Sequence, residues 1–324
     1  MRFTHVYVEE RAFEYPLTQS ILSKLPDANV VRIKHYKDVF DRKRQNAVLQ
    51  HEHRSLIVAV RDGNRVFEGA PVCQSFGNKN FYYASSMMNC PFDCEYCYLK
   101  GMYPSSNMVV FVNLEDYRAD VEAKLAEGPM YVCASYDTDL IAMNGLTGHA
   151  DFWKKLASVH PDLLVELRTK AAVDITDNIS NVIYAFTVSP EEVVSRYERS
   201  TAPVSARINA AAKAIENGAK VRLCFDPIIK IPDYESAYKK LVDEVASELD
   251  FARLTDVSVG TFRISSDYLG KMRKAYPDSE VAWYPYVIKD GVAQYETEAD
   301  RAMQEYVCGL VGKHIGREKI FTWN

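Results

Sequence analysis

Hydrophobic and polar positions divide the chain into two regimes. Between residues 81 and 261, short apolar runs alternate with segments whose apolar residues recur three and four apart. The runs 81–85, 130–134, 163–167, 182–186, 220–225 and 256–260 are rich in aliphatic and aromatic residues and predict buried strands. The apolar run 109–112 leads into an amphipathic stretch, 114–125, and the periodicity predicts helices over 149–159, 203–217 and 234–249. In 203–217, Val204, Ile208, Ala211 and Ile215 fall on one face, with Pro203 at the start and Gly218 beyond the end. Strand then helix, repeated, predicts a parallel sheet with helices outside it, because parallel neighbours need a crossover. About six strands are too few for a closed eight-stranded barrel. The expected architecture is therefore α/β, a partial (β/α)6 barrel, with reactive groups at the carboxyl ends of its strands.

This barrel is assigned to residues 81–265, flanked by two extensions. Residues 1–80 read as an N-terminal α/β extension, with a strand at 55–60, a turn at 61–64 and a return at 65–67. A basic stretch there holds Arg32, Lys34, Lys37, Arg42, Lys43 and Arg44. It is either a solvated helix face or a patch for phosphates, which Lys and Arg neutralise by charge. Residues 266–324 read as a C-terminal extension. Asp290-Gly291 between apolar runs marks a hairpin, and 300–311 a closing helix.

Composition narrows the function classes. The 324 residues are 48% hydrophobic and 26% charged, which is ordinary globular usage and excludes a disordered chain. A net charge of -5 argues against general binding of polyanions, so contact with nucleic acid needs a local basic patch. No run approaches the roughly 18 apolar residues of a membrane span. Residues 1–11 lack the apolar core of a secretion signal, so the expectation is a cytoplasmic protein without membrane partners.

Seven cysteines, an odd number, argue against a disulfide framework. Three of them, Cys90, Cys94 and Cys97, are spaced C-x3-C-x2-C directly after the first barrel strand. A closed structural zinc site takes four protein ligands. No second C-x2-C pair exists, and His51 and His53 lie far upstream. Three thiolates suit a 4Fe–4S cluster with one iron left open to chelate a small molecule. The competing reading is a zinc knuckle, or three structural thiols.

The segment 89–113 resembles the spore photoproduct lyase family of radical S-adenosylmethionine enzymes. The similarity is carried by the three-cysteine motif with Tyr96 before its last cysteine, by Tyr98 and Leu99, and by the run 109–113. It extends more thinly across most of the chain. The resemblance implies a partial barrel of the radical SAM type, with Cys90, Cys94 and Cys97 holding a 4Fe–4S cluster. The open iron would bind the amino and carboxylate groups of S-adenosyl-L-methionine. Reductive cleavage would give methionine and a 5′-deoxyadenosyl radical that takes hydrogen from substrate. The family's substrate is a thymine–thymine photoproduct in DNA, split back to two thymines. An electron donor such as a flavodoxin or ferredoxin is implied as a partner.

By the same resemblance, Tyr96 and Tyr98 line the cofactor and help return a hydrogen atom. Thr138 matches a serine at the cofactor's methionine end, and Lys170 a lysine that pairs with its carboxylate. Thr187 and Ser189 match a hydroxyl-bearing stretch, and Asp226, before Pro227, either approaches the adenosine or starts a turn. Two departures stand out. Tyr136 occupies the position of the family's hydrogen-donating cysteine, three residues before Asp139. Tyr136 and Tyr98 then relay hydrogen, or Cys133 substitutes through a bent backbone, or the substrate differs. Cys133, Cys224 and Cys308 read otherwise as core residues, and Cys73 is undecided. The hairpin carries only Lys289 as a cation, while Tyr284 and Tyr286 either stack on bases or pack in the core. Three readings follow: a lyase of DNA photoproducts, a radical enzyme of the same family with another nucleic-acid or small-molecule substrate, and a non-enzymatic zinc module.

Overall fold

The computed structural model describes residues 2–70 and 73–323. Six parallel strands form the centre of its larger sheet, in chain order: Phe81–Ala84, Met130–Cys133, Leu163–Thr169, Val182–Thr187, Lys220–Ile228 and Asp256–Thr261. They correspond to the six predicted runs, and with the helices between them they make the (β/α)6 partial barrel. Val182–Thr187 and Asp256–Thr261 are buried at every position. That is the mark of a sheet covered on both faces, where apolar residues need not alternate with polar ones. Val66–Glu68 closes one edge antiparallel, and Ile320–Thr322 closes the other parallel to Asp256–Thr261. The C-terminal tail thus covers an edge strand that would otherwise stand open.

The helices pack as their patterns predict. Val204–Glu216 buries Val204, Ile208, Ala211 and Ile215. Gly218 follows it at φ +86, where a Cβ would come within 2.8 Å of the Asn178 side chain, so both backbone and space demand glycine. Three further helices, Leu140–Thr147, Glu191–Tyr197 and Ser266–Ala275, lie where no periodicity was evident.

Among the described residues a second, five-stranded sheet runs in spatial order Asn29–Ile33, His5–Glu9, Leu56–Ala59, Met108–Phe111 and Met87–Met88. Met108–Phe111 pairs with Leu56–Ala59, so the apolar run 109–112 leaves the barrel and joins the N-terminal sheet. A division at residue 80 therefore does not follow the sheets: strands from both sides of it meet in each. The basic stretch is no single helix face. It covers the exposed edge strand Asn29–Ile33, the short helix Lys37–Phe40 and a turn, and all six cations are exposed.

In the C-terminal extension, Val287–Lys289 and Val292–Gln294 form the hairpin, joined by Asp290 and Gly291 at φ 50 and 78. Both positive angles are what the two-residue turn requires. Thr297–Val311 is the closing helix. Tyr284 and Tyr286 pack with Tyr295 at ring separations of 4.9, 5.0 and 5.3 Å. Their rings pack together at the hairpin's root, with Tyr284 and Tyr286 half-buried.

Candidate active site

The six strand ends converge on one cavity of about 540 Å³. Each strand supplies part of its wall. The loop after Phe81–Ala84 brings Cys90, Cys94, Cys97, Tyr96 and Tyr98, and the loop after Met130–Cys133 brings Tyr136, Thr138 and Asp139. Lys170, Thr187, Asp226 and Arg263 come from the ends of the remaining four strands. Of the residues expected at the site, only Ser189 lies apart. Its hydroxyl donates to Glu198 at 3.0 Å, behind the cavity wall.

The cysteine loop is shaped by contacts outside the motif. Asn89 adopts φ 65, and its amide donates to the carbonyls of Ser105 and Asn107, both at 2.7 Å. The Arg54 guanidinium donates to the carbonyls of Cys90 and Pro91, both at 2.6 Å. Asp93 and Cys94 pair antiparallel with Arg199 and Glu198, which ties the loop to the turn after helix Glu191–Tyr197. His51 is engaged by Asp93 at 3.4 Å. Among the described residues, no three His, Cys, Asp or Glu side chains are arranged around a single metal ion. Three thiols on one cavity wall suit a multi-iron cluster, in which each cysteine holds a different iron. Burial pushes all three thiols up from their ordinary range, so the thiolates need a cationic centre beside them.

The far wall has the groups that an amino-acid-bearing nucleoside requires. The Lys170 ammonium lies 5.5 Å from the centroid of the Tyr96 ring. Burial opposes its charge, but the Glu198 carboxylate and the Cys94 sulfur outweigh burial and raise its pKa. Glu198 is itself fully enclosed, paired with Arg207 at 2.6 Å and hydrogen-bonded to the Tyr96 hydroxyl. The Tyr96 hydroxyl is thereby committed to Glu198, and its ring to the underside of Lys170. Asp139 caps helix Leu140–Thr147 through Ala142 N–H at 2.9 Å and accepts from Lys170 N–H at 2.8 Å. It joins the second and third strand ends and fixes where Lys170 begins. The hydroxyls of Ser135 and Thr138 are buried on the same wall without a protein partner. Buried polar groups of that kind are normally satisfied, so these two await a ligand. The donor set and the orphaned hydroxyls together fit a 4Fe–4S cluster with S-adenosylmethionine.

Deeper in the cavity, Tyr98 donates to the Tyr136 carbonyl at 2.6 Å, and the Tyr136 ring stacks on Tyr83 at 4.1 Å. Cys73 donates its thiol hydrogen to the Tyr136 oxygen at 3.9 Å. Cys133 does not share this group: its thiol faces Glu166 at 3.6 Å. Asp226 accepts from Arg263 at 2.9 and 3.3 Å, so its carboxylate is engaged within the wall.

Sequence reasoning passed over Arg54, Tyr83, Asp139 and Glu198 as site builders, because each acts across long sequence separation. Arg168 was also passed over. It shares strand parity with Glu166 and Lys170, and three charges alternating along an apolar strand are a readable signal of an inward polar row.

Comparison with known proteins agrees with this construction. The family model for spore photoproduct lyase matches residues 2–283. The spore photoproduct lyase of Geobacillus sp. (strain Y412MC61) is 22% identical over 97% of this chain and 90% of its own length. That of Bacillus subtilis (strain 168) is 22% identical over 96% and 89%. A solved spore photoproduct lyase complexed with dinucleoside spore photoproduct superposes with a TM-score of 0.82 at 18% identity, covering 99% of this chain and 98% of that one. Another, a mutant with bound AdoMet and dinucleoside spore photoproduct, reaches 0.83 at 19%, with the same coverage. The fold is that of a radical SAM enzyme, and the family model spans the barrel, the cysteine loop and the N-terminal sheet alike. With strand ends, thiols and relatives in agreement, the chain belongs to the spore photoproduct lyase family.

Proposed function

We propose that this chain is a radical SAM lyase that reverses the thymine–thymine spore photoproduct in DNA. The observation that carries the reading is the single cavity, which joins three cluster-type thiols, a buried ammonium and a phenol–thiol group at one set of strand ends. When bound and reduced, the cluster and S-adenosylmethionine supply a carbon-centred radical that removes hydrogen from substrate.

The chain's own residues bind, orient and shield. Cys90, Cys94 and Cys97 are the cluster ligands. Lys170 pairs with the cofactor carboxylate, and Tyr96 and Glu198 hold that ammonium in place. Thr138 and Thr187 offer hydroxyls to the cofactor's methionine portion. Ser189 acts through Glu198 as a positioning residue. Asp226, held by Arg263, faces the adenosine side. Tyr98 and Tyr136 stand where hydrogen is returned. The hairpin tip offers Ile288, 65% exposed, and Lys289 to the duplex. The exposed stretch 32–44 adds cations that the hairpin lacks.

Among the described residues no helix is long and apolar enough to cross a membrane. We place the reaction in the cytoplasm, where a flavodoxin or ferredoxin supplies the electron. The test is anaerobic reconstitution followed by reduction with and without dinucleoside spore photoproduct. The expected result is cofactor cleavage and recovery of thymine. Cleavage without thymine recovery would move the enzyme to another substrate, and neither with stoichiometric zinc would remove it from radical chemistry.

A further inference from the structure

The cysteine loop has two sides. Its inner side faces the cavity at the strand ends, which cofactor and substrate occupy by the reading above. Its outer side borders a second, shallow cleft of about 30 Å³. Cys90, Phe92, Cys97 and Leu99 line both. At two of the three cluster thiols the loop is therefore a partition one layer of side chains thick. The outer cleft has room for a water or two, too little for a ligand. What it offers is a short path, because electron transfer falls off exponentially with distance.

The surface over this cleft is apolar at its centre and basic at its rim. Helix Ala47–Glu52 supplies Ala47 and His51 to the cleft. It is pinned to the segment 103–106: the Gln50 side-chain oxygen accepts from the Ser105 hydroxyl at 3.1 Å, and the Ser106 hydroxyl donates to the Ala47 carbonyl at 2.7 Å. The outward side of the same helix presents Val48 and Leu49, the latter 67% exposed. One exposed leucine is ordinary, but the setting of this one is not. Helix Lys37–Phe40 packs on the same segment, with the Phe40 and Tyr103 rings 5.3 Å apart. The turn between the two helices carries Arg42, Lys43 and Arg44, all exposed. Residues 32–54 hold seven Lys and Arg against three Asp and Glu, in a chain whose net charge is -5.

We propose that this outer face, centred on Leu49 and rimmed by Arg42, Lys43 and Arg44, is where a reduced flavodoxin docks to deliver the electron. The inference rests on the radical reading above, since it needs a cluster at the three cysteines. The reduced flavin is an anion whose ring ends in an apolar, dimethylated edge, so charge and apolarity both match the face. Electron carriers meet their partners through small interfaces steered by charge, and a helix and a turn suffice for one. One electron leaves the flavin and one enters the cluster through the Cys90 or Cys97 side. The flavin is oxidised, the cluster reduced, and no bond forms or breaks at the face. Approach from the outer side leaves the cavity to cofactor and substrate.

Two measurements on cluster-loaded enzyme test the assignment. Fluorescence anisotropy of an oxidised, acidic flavodoxin reads affinity without turnover, and stopped-flow bleaching of the cluster by the flavodoxin hydroquinone reads delivery. Leu49→Asp should weaken binding and slow delivery at least tenfold. Its iron content and its cofactor cleavage with dithionite, which needs no docking face, should stay unchanged. Arg42→Glu combined with Lys43→Glu should weaken binding at least tenfold at low salt, and the difference should shrink at high salt. Flavodoxin affinity and delivery unchanged in both variants would overturn the proposal. So would a charge variant that loses affinity for duplex DNA but keeps it for flavodoxin, which would leave those cations to the duplex alone. A ferredoxin that is sensitive to both variants while flavodoxin is not would overturn it as well. If the unaltered chain holds zinc and no cluster, the radical reading itself fails. If it recovers thymine with dithionite while flavodoxin ignores both variants, only this inference fails.

Discussion

The Lys170 ammonium rests on the face of the Tyr96 ring, 5.5 Å from its centroid, while the Tyr96 hydroxyl bonds Glu198. One tyrosine thus supports the cation by its face and anchors itself by its edge. Lys170→Met should weaken S-adenosylmethionine binding by about 2 kcal/mol, roughly 30-fold, the loss expected for one charge-assisted hydrogen bond. Equilibrium dialysis of cluster-loaded enzyme checks this. Tyr96→Leu should act in the same direction but less, because only a ring contact and its anchor are lost. Equal affinity in Lys170→Met and the unaltered chain would remove Lys170 from the carboxylate.

Cys94→Ala should abolish cluster retention, since two thiols cannot hold a cubane that already has one open corner. Iron and sulfide per chain, with the brown absorption, report it directly. Arg54→Gln leaves all three thiols in place but removes the guanidinium that fixes the carbonyls of Cys90 and Pro91. It should load iron and then lose it several-fold faster to a chelator. Chelation at the unaltered rate would make Arg54 a bystander.

How much of this was written in the sequence follows from the reach of each interaction. The six barrel strands were legible because each is a local apolar run, and the cluster loop because its three ligands lie within eight residues. The hairpin was legible from Asp290 and Gly291, whose positive φ values only a few residue types tolerate. The pairing of Met108–Phe111 with Leu56–Ala59 was not, because an apolar run does not state which sheet it joins. Nor were Cys73 and Glu198. Cys73 reaches Tyr136 across 63 positions, and Glu198 reaches Tyr96 across 102. Ser189 was misread for the same reason: a hydroxyl beyond a strand end can face the cavity or the wall behind it, and the partner that decides is remote.

Inside the barrel, Arg222 joins Glu166 and Asp256, donates to the Tyr131 hydroxyl at 2.8 Å, and lies 3.2 Å from the Phe76 ring centroid. Arg222→Leu strands two buried carboxylates. It should destabilise the fold by about 4 kcal/mol and lower Tm by about 10 °C. Burial disfavours the Glu166 anion, but Arg168 and Arg222 overcome that and hold its carboxyl down to about 2. A depressed carboxylate contributes stability above its unfolded pKa and loses it as pH falls. Acid unfolding of the unaltered chain should therefore steepen between about pH 4.5 and 2, and Arg222→Leu should weaken that acid-sensitive portion while Arg168 retains part of it. Parallel urea midpoints across that range decide it.

Asp137 behaves in the opposite sense. It is buried beside Ser85 and Tyr103, and burial outweighs both hydrogen bonds, so its carboxyl is pushed up to about 6. A carboxyl raised in the folded state contributes stability below its unfolded pKa, near 3.8, and loses it as pH rises through 6. The loss across that window is about 3 kcal/mol, from the shift of two units or so. The unaltered chain should thus unfold at lower urea at pH 7 than at pH 5. Asp137→Asn keeps the amide oxygen for Ser85 and carries no charge to desolvate, so its urea midpoint should be nearly level between the two and higher at pH 7. A variant whose midpoint still falls as pH rises, with the slope of the unaltered chain, would assign that slope to another group.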